Sequence, residues 1–291
     1  MAKPDRTSFT RHRPGGGAAT TVSPAFLSIY SPSFGTPIIF TRGELQLAVT
    51  GQAKLPLTAD VQQQDFLEDA VDGRVYLVRQ IISREPTLQV LLSEIGLFIP
   101  DEFESGQTDT WWTAISTFLN FSGESRIGCA PSVQSKPSDG NFFYQSLPTY
   151  GNFDVWSKIT APAGGAGNIF RVYIGARQDS EAKQGVYVGI KEDGTPTVIR
   201  LDENPALGML ETDTGVSASA INYFRIRRVG GNLLVYYSTL TTDPTSEVDW
   251  VLIAPASVVS TFSSAARVGI GAILSAGATA TCYWDFVRNW S

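Results

Sequence analysis

Apolar residues recur at every second position through the second half of this 291-residue chain, and no other feature constrains its fold as much. Successive side chains of a β-strand point to opposite faces of the sheet, so a period of two predicts strands with one buried face. Turn residues such as Gly230-Gly231-Asn232 separate the strands, which is typical of an antiparallel sandwich. The alternating segments include residues 153–159, 170–176, 186–190, 224–227, 233–237, 250–253, 268–274 and 282–286.

The rarity of histidine and cysteine restricts the chemistry. The chain has one histidine, His12, and two cysteines, Cys129 and Cys282. A catalytic triad needs a histidine base in a folded site, and zinc sites need histidine or clustered cysteine. His12 lies in a glycine- and arginine-rich leader that we expect to be unfolded, so the sequence predicts no enzyme, no metal and no cofactor. Both cysteines are expected to be buried thiols, and a bridge between them stays open if their strands are neighbours.

Charge is distributed unevenly along the chain, whose formal net charge is -6. The first 13 residues carry +3, which leaves -9 on the remainder, and an acidic body repels phosphates; we therefore expect no nucleic-acid partner. No signal peptide and no membrane span are predicted, because there is no suitable apolar run. The basic residues of the leader are Lys3, Arg6, Arg11 and Arg13.

The sequence predicts three regions. Residues 1–24 form an extended arm, since residues 14–19 cannot bury a face; the arm is either disordered or ordered on a neighbouring subunit. Residues 25–105 form a small α+β attachment region, and residues 106–291 form the sandwich.

A helix is the main expectation within the α+β region. Pro86 is suited to a first helical position, and the following apolar residues recur at helical spacing before Gly96. These apolar residues are Leu88, Leu91, Leu92 and Ile95.

Three groups of segments resemble the concanavalin A-like lectin/glucanase superfamily, a jelly-roll class that includes laminin-G-like modules. The first group is 151–159, 172–177 and 185–190, the second is 223–228 with 235–238 and Trp250, and the third is 267–272 with the closing Tyr283-Trp284-Asp285-Phe286. The resemblance covers about residues 105–291 and implies a mainly β fold, a concanavalin A-like jelly-roll β-sandwich. It says little about function.

An arm, a small adaptor and a lectin-like sandwich together resemble bacteriophage virion proteins in architecture. We therefore expect a non-enzymatic virion structural protein of the tail-fibre or baseplate type, made in the host cytoplasm and located in the virion. The arm would bind other virion proteins, the chain would form a homo-oligomer, and a host-surface glycan is the candidate ligand. The alternatives are a capsid-decorating cement protein, a free carbohydrate-binding module, and a degenerate or active glycosidase.

The acidic pattern of the resembled glycosidases is incomplete here. Those enzymes carry E-x-D-x-E on one strand, which places three carboxylates on one face. Glu247-Val248-Asp249 begins this pattern, but Val251 occupies the third acidic place. The sequence therefore predicts a solvated loop and no catalytic residue.

Aromatic side chains that point away from the core are candidates for contact with a glycan or a protein partner. Trp156 lies opposite the apolar face of its own strand, and one of two adjacent tryptophans must point outward. Core or rim packing is the alternative for each ring. Arg225 and Arg227 share one strand face, which predicts either an ion-paired surface or contact with an acidic glycan. The candidate contact residues are Trp111, Trp112, Tyr150, Trp156, Tyr237 and Trp250.

Overall fold

The protein is nearly all β in a computed structural model. Within the described residues, no helix has the length and apolar character needed to cross a membrane. The structure describes residues 5–14, 18–29, 38–39, 48–49, 51–83, 86–96, 98–103, 112–115, 119–120, 127–129, 137, 141–147, 152–160, 169–178, 184–204, 208–218, 221–229, 232–254, 266–276 and 282–290.

Within the described residues, strands β1 to β22 follow one another along the chain, and one turn of 3-10 helix lies at Glu247–Asp249. The strands are β1 Asp5–His12, β2 Thr20–Ile29, β3 Ile38–Ile39, β4 Ala48–Val49, β5 Gly51–Leu55, β6 Phe66–Asp69, β7 Val75–Ser83, β8 Leu88–Gly96, β9 Thr113–Ile115, β10 Leu119–Asn120, β11 Ile127–Cys129, β12 Asn141–Leu147, β13 Phe153–Thr160, β14 Ile169–Gln178, β15 Gly185–Glu192, β16 Thr197–Asn204, β17 Gly208–Ser217, β18 Ile221–Val229, β19 Asn232–Ser238, β20 Val251–Leu252, β21 Ala266–Ala276 and β22 Cys282–Asn289.

Two compact units divide the chain, one of residues 1–99 with 109–111 and one of residues 100–108 with 112–291. The first unit contains a closed barrel of six strands in the order β1-β2-β5-β8-β7-β6, which β1 closes by pairing with β6. Apolar side chains fill its interior, so the barrel has a packed core. That core includes Phe9, Val22, Ala25, Leu27, Ala53, Leu55, Val61, Leu67, Tyr76, Val78, Leu88, Val90 and Leu92.

The residues predicted as an extended arm lie in the barrel instead. Residues 5–12 are β1, and residues 20–24 belong to β2. His12, expected in an unfolded leader, is buried, and its Nε2 lies 2.9 Å from Glu68 Oε2. The prediction failed because Thr7 and Phe9 bury alternate positions of a strand whose partners lie far along the chain.

Two of the four basic residues predicted for assembly form ion pairs inside the first unit. Arg11 donates to Asp60 Oδ2 at 2.8 Å, and the Nε of Arg13 donates to Asp65 Oδ1 at 2.9 Å. Arg6 lies in β1, opposite Phe26. Lys3 lies outside the described residues.

The predicted α+β character of residues 25–105 is wrong, because the expected helix after Pro86 is strand β8. Leu88, Val90 and Leu92 point into the barrel at a period of two. That period competes with the helical spacing of Leu88, Leu91 and Leu92, and pairing with both β5 and β7 decides between them.

The second unit is the predicted β-sandwich. The Trp sheet, named for the tryptophans on its outer face, has the order β10-β11-β22-β13-β18-β19-β20. The Tyr sheet has the order β17-β16-β15-β14-β21-β12-β9. Both are antiparallel, and their inner faces bury alternate residues such as Val155 and Ile226 of one and Val172, Val188 and Ile270 of the other.

A buried ion pair ties the two sheets together. Arg200 and Asp202 of β16 are 2 % and 2 % exposed, and the guanidinium donates to both carboxylate oxygens at 2.7 and 2.8 Å. A third nitrogen donates to the carbonyl of Ile253 at 3.0 Å. Because the charges are paired and hydrogen-bonded, they are tolerated in the core.

The outer face of the Tyr sheet, on the side opposite Val268 and Ile270, is buried at its centre. Gly269 and Gly271 on that face are buried, together with Tyr173 and Tyr187. Gly175 on the same face makes room for one of these rings, because a Cβ there would lie 2.1 Å from a ring atom of Tyr187.

Cys129 and Cys282 are directly opposed in the register of β11 and β22. Their strands are therefore neighbours, which is the condition the sequence set for a bridge. Cys282 is buried, as expected for a cysteine in a strand that closes the sandwich.

Candidate functional site

The outer face of the Trp sheet gathers charged and aromatic side chains from neighbouring strands. Trp156 of β13 lies opposite Arg225 of β18, which in turn lies opposite Tyr236 of β19. Asp154 and Arg227 form the next row of the same face, two residues along each strand. Period-two alternation therefore places the functional groups outward and the apolar residues of the same strands inward.

Arg225 is the centre of this arrangement, and its side chain is fully buried. Its Nε and Nη2 donate to the two carboxylate oxygens of Asp154 at 2.6 and 2.5 Å. Its Nη1 and Nη2 donate to the carboxylate of Glu247, both at 2.9 Å. A guanidinium presents donors in a planar fork, so it can hold two carboxylates in fixed positions at once.

Aromatic rings enclose the guanidinium of Arg225. The ring centroids of Trp290, Tyr236 and Trp250 lie 4.8, 5.3 and 5.6 Å from its central carbon. Ring faces attract cations, and here they also exclude water from the charge. Trp156 packs against Trp250 and Trp290 edge to face, at 6.1 and 5.9 Å between centroids.

Residues 239–249, here called the strap, follow β19 and bring Glu247 to Arg225. Asp249 Oδ2 accepts from the backbone N–H groups of Thr245 and Ser246, both at 2.8 Å, and shapes the turn that presents Glu247. Earlier in the strap, Asp243 accepts from the hydroxyl of Tyr223 at 3.0 Å and from Arg288 at 3.0 Å. The strap is thus attached to the sheet at two places.

An open cavity of about 470 Å³ lies between the strap and the sheet. Trp290 forms one wall, half-buried, and its indole N–H donates to Glu247 Oε1 at 2.9 Å. Charged groups reach the opening, since the side chains of Glu247 and Arg227 are 61 % and 40 % exposed. The lining residues are Asp154, Arg227, Thr245, Ser246, Glu247 and Trp290.

The two carboxylates of the cavity differ in acidity. Burial raises the pKa of Asp154, and the hydrogen bonds from Arg225 act against that rise. The hydrogen bonds from Arg225 lower the pKa of Glu247 to about 2. Glu247 is therefore ionised at neutral pH. Within the described part of the chain, no three His, Cys, Asp or Glu side chains are grouped so that they could hold a metal ion.

The structure brings together two of the predicted contact residues, Trp156 and Trp250, but both are buried in an aromatic cluster with Tyr223 and Phe286. Tyr237 lies on the other face of β19, opposite Phe224. Trp112 is buried, stacks on a phenylalanine ring at 4.5 Å and donates to Asp101 at 2.7 Å. Trp111 and Tyr150 lie outside the described residues.

Sequence reasoning missed Trp290 and the part played by Glu247. Trp290 directly follows β22, and its position as a cavity wall depends on contacts with residues some 40 positions away. Glu247-Val248-Asp249 forms a 3-10 turn, as the loop prediction implies, so the three side chains do not share a strand face. The sequence did contain one indication of this site. A spacing of two places these residues on the same sheet face: Asp154, Trp156, Arg225 and Arg227.

No protein-family model matches the chain, and no curated protein matches it. Several solved structures are similar in fold. The GH43 protein BlXynB of Bacillus licheniformis is 12% identical, with a TM-score of 0.49 over 99% of this chain and 63% of that one. A β-1,3-glucanase of Mycobacterium marinum is 14% identical, with a TM-score of 0.42 over 67% of this chain and 98% of that one. The laminarinase catalytic domain of Thermotoga maritima is 10% identical, with a TM-score of 0.44 over 66% of this chain and 96% of that one.

These neighbours correct the functional expectation drawn from the sequence. The prediction of a non-enzymatic virion structural protein is wrong, because the neighbours include a glucanase and a laminarinase, which are enzymes. The likeness concerns glycoside hydrolase and glucanase β-sandwiches, and no virion protein supports the tail-fibre or baseplate expectation. What those enzymes act on is a property of those proteins.

The Glu247–Arg225 pair predicts a specific dependence of stability on pH. The folded-state pKa of Glu247 lies near 2, below its ordinary value of 4.5, so the stabilisation is present above pH 4.5 and is lost as the pH falls toward 2. We expect the unfolding free energies of the wild type and Glu247→Gln to differ most near neutral pH and to converge only as the pH falls to about 2. Urea denaturation followed by tryptophan fluorescence measures this; a difference that stays constant with pH would contradict it.

Proposed function

We propose that this protein is a carbohydrate-binding protein and that the cavity between the strap and the Trp sheet is its glycan site. The observation that carries the proposal is the half-exposed indole of Trp290, placed beside a carboxylate, a guanidinium and two hydroxyl groups in one cavity. A sugar ring has an apolar C–H face and a polar rim. The C–H face packs against an aromatic ring, and the polar rim needs both hydrogen-bond donors and acceptors.

Each polar group of the cavity suits a sugar hydroxyl. Glu247 accepts a hydrogen bond, Arg227 donates one, and the hydroxyls of Thr245 and Ser246 do both. Arg225 and the aromatic rings around it hold Glu247 and Trp290 in place before a ligand arrives. A site that is already ordered loses less conformational entropy on binding.

Replacement of Trp290 tests the proposal. We expect Trp290→Ala to weaken binding of a soluble β-1,3-glucan or xylan by about tenfold or more, as for an aromatic ring that a ligand buries on binding. Isothermal titration calorimetry and affinity electrophoresis measure the change. Val251→Ala removes an apolar side chain that is 49% exposed and lies outside the cavity lining, and it is the matched control. Unchanged affinity in Trp290→Ala, or no binding of any glycan by the wild type, would refute the proposal.

Glycoside hydrolysis is the second candidate function, favoured by the acidity of the same two carboxylates. Asp154 has a raised pKa and Glu247 a lowered one, as an acid and a nucleophile or base require. Both accept from the Nη2 of Arg225, so these two oxygens lie at most about 5.4 Å apart, the range of a retaining pair. We rank binding above hydrolysis because Arg225 donates to both oxygens of Asp154 and to both oxygens of Glu247, the groups that catalysis would use.

Turnover separates the two candidate functions. A hydrolase releases reducing ends from a glycan, and Asp154→Asn and Glu247→Gln should each lower that rate by at least about a hundredfold, while binding persists. Asp193→Asn, on a turn of the Tyr sheet, is the control. No release by the wild type rejects hydrolysis and leaves the binding proposal standing.

A further inference from the structure

The charge around the cavity is unevenly distributed. The strap carries Asp243, Glu247 and Asp249, and residues 239–254 contain no lysine or arginine. Backbone N–H groups of Thr245 and Ser246 lower the pKa of Asp249, and the guanidinium of Arg225 lowers that of Glu247. Asp243 is paired with Arg288, so its charge is balanced. Around the cavity, the carboxylates of Asp154, Glu247 and Asp249 outnumber the guanidinium groups of Arg225 and Arg227, which gives the opening a net negative charge at neutral pH.

The positive charges on the opposite side are already compensated. The side chain of Arg225 has no exposed surface and binds two carboxylates. The Nε of Arg227 lies 3.3 Å from Asp154, so its charge is shared with a carboxylate of the lining. Glu247 has the most exposed side chain at 61 %, compared with 40 % for Arg227 and 0 % for Arg225. A ligand that enters the cavity therefore contacts the Glu247 carboxylate.

From this arrangement we infer that the cavity selects uncharged glycans and rejects glycans that carry uronic acids, and that Glu247 determines this specificity. The inference rests on the proposed glycan site and adds the class of ligand. A neutral hydroxyl donates to Glu247 and accepts from Arg227. A uronate carboxylate offers no donor to Glu247 and meets a like charge at short range, which costs binding energy in a partly dry site.

Matched ligand pairs test the inference. One pair is a β-linked glucose hexamer and its C6-oxidised glucuronate form; the other is a xylo-oligosaccharide with and without a glucuronic acid branch. In the wild type at low salt, we expect the neutral member to bind at least about tenfold more tightly. Raising NaCl from about 20 mM to about 0.5 M should narrow that ratio, because screening weakens the repulsion.

Glu247→Gln should reduce the neutral-to-acidic ratio to about threefold or less, since the amide can donate to a carboxylate. Asp193→Asn removes the same charge from an exposed turn outside the cavity and should leave the ratio unchanged. Equal affinities, or tighter binding of the acidic members, would overturn the inference while the glycan site stands. Failure of the wild type to bind any of the four ligands would overturn both. The salt series on the wild type decides the question even if Glu247→Gln does not fold.

Discussion

A buried arginine with two carboxylate partners is the interaction on which the candidate site depends. Arg225 has no exposed side-chain surface, and an unpaired charge there would be strongly unfavourable. Asp154, on the adjacent strand, supplies one partner, and Glu247 of the strap supplies the other. The need to satisfy this guanidinium therefore fixes a loop against a sheet, and the cavity lies between them.

Period-two reasoning recovered much of the second unit. Val155 and Ile226 face the sandwich core as their alternation predicts, and Trp156, Arg225 and Arg227 lie on the opposite face. The direction of a side chain in a strand depends on local backbone geometry. The sequence therefore predicts which face each residue occupies without knowledge of distant contacts. Trp156 and Trp250 share one cluster, but both are buried, whereas the sequence analysis proposed them as exposed contact residues.

Long-range packing accounts for what the sequence left hidden. Strand β1 depends on β2 and on β6, whose paired residues lie 54 to 60 positions away. The apolar run that forms β8 fits a helical period as well as a strand period. Contacts between distant residues likewise place Trp290 in the cavity wall and bury the outer face of the Tyr sheet. Such contacts produce no periodic pattern in the sequence.

Hydrogen exchange in Arg225→Lys tests the central claim most directly, because lysine keeps the charge and loses the planar fork. The strap amides of residues 245–249 are to be compared with those of β14 and β15 in the Tyr sheet. The account predicts faster exchange in the strap, unchanged exchange in the Tyr sheet, and loss of glycan binding. Strap protection equal to that of the wild type would contradict it.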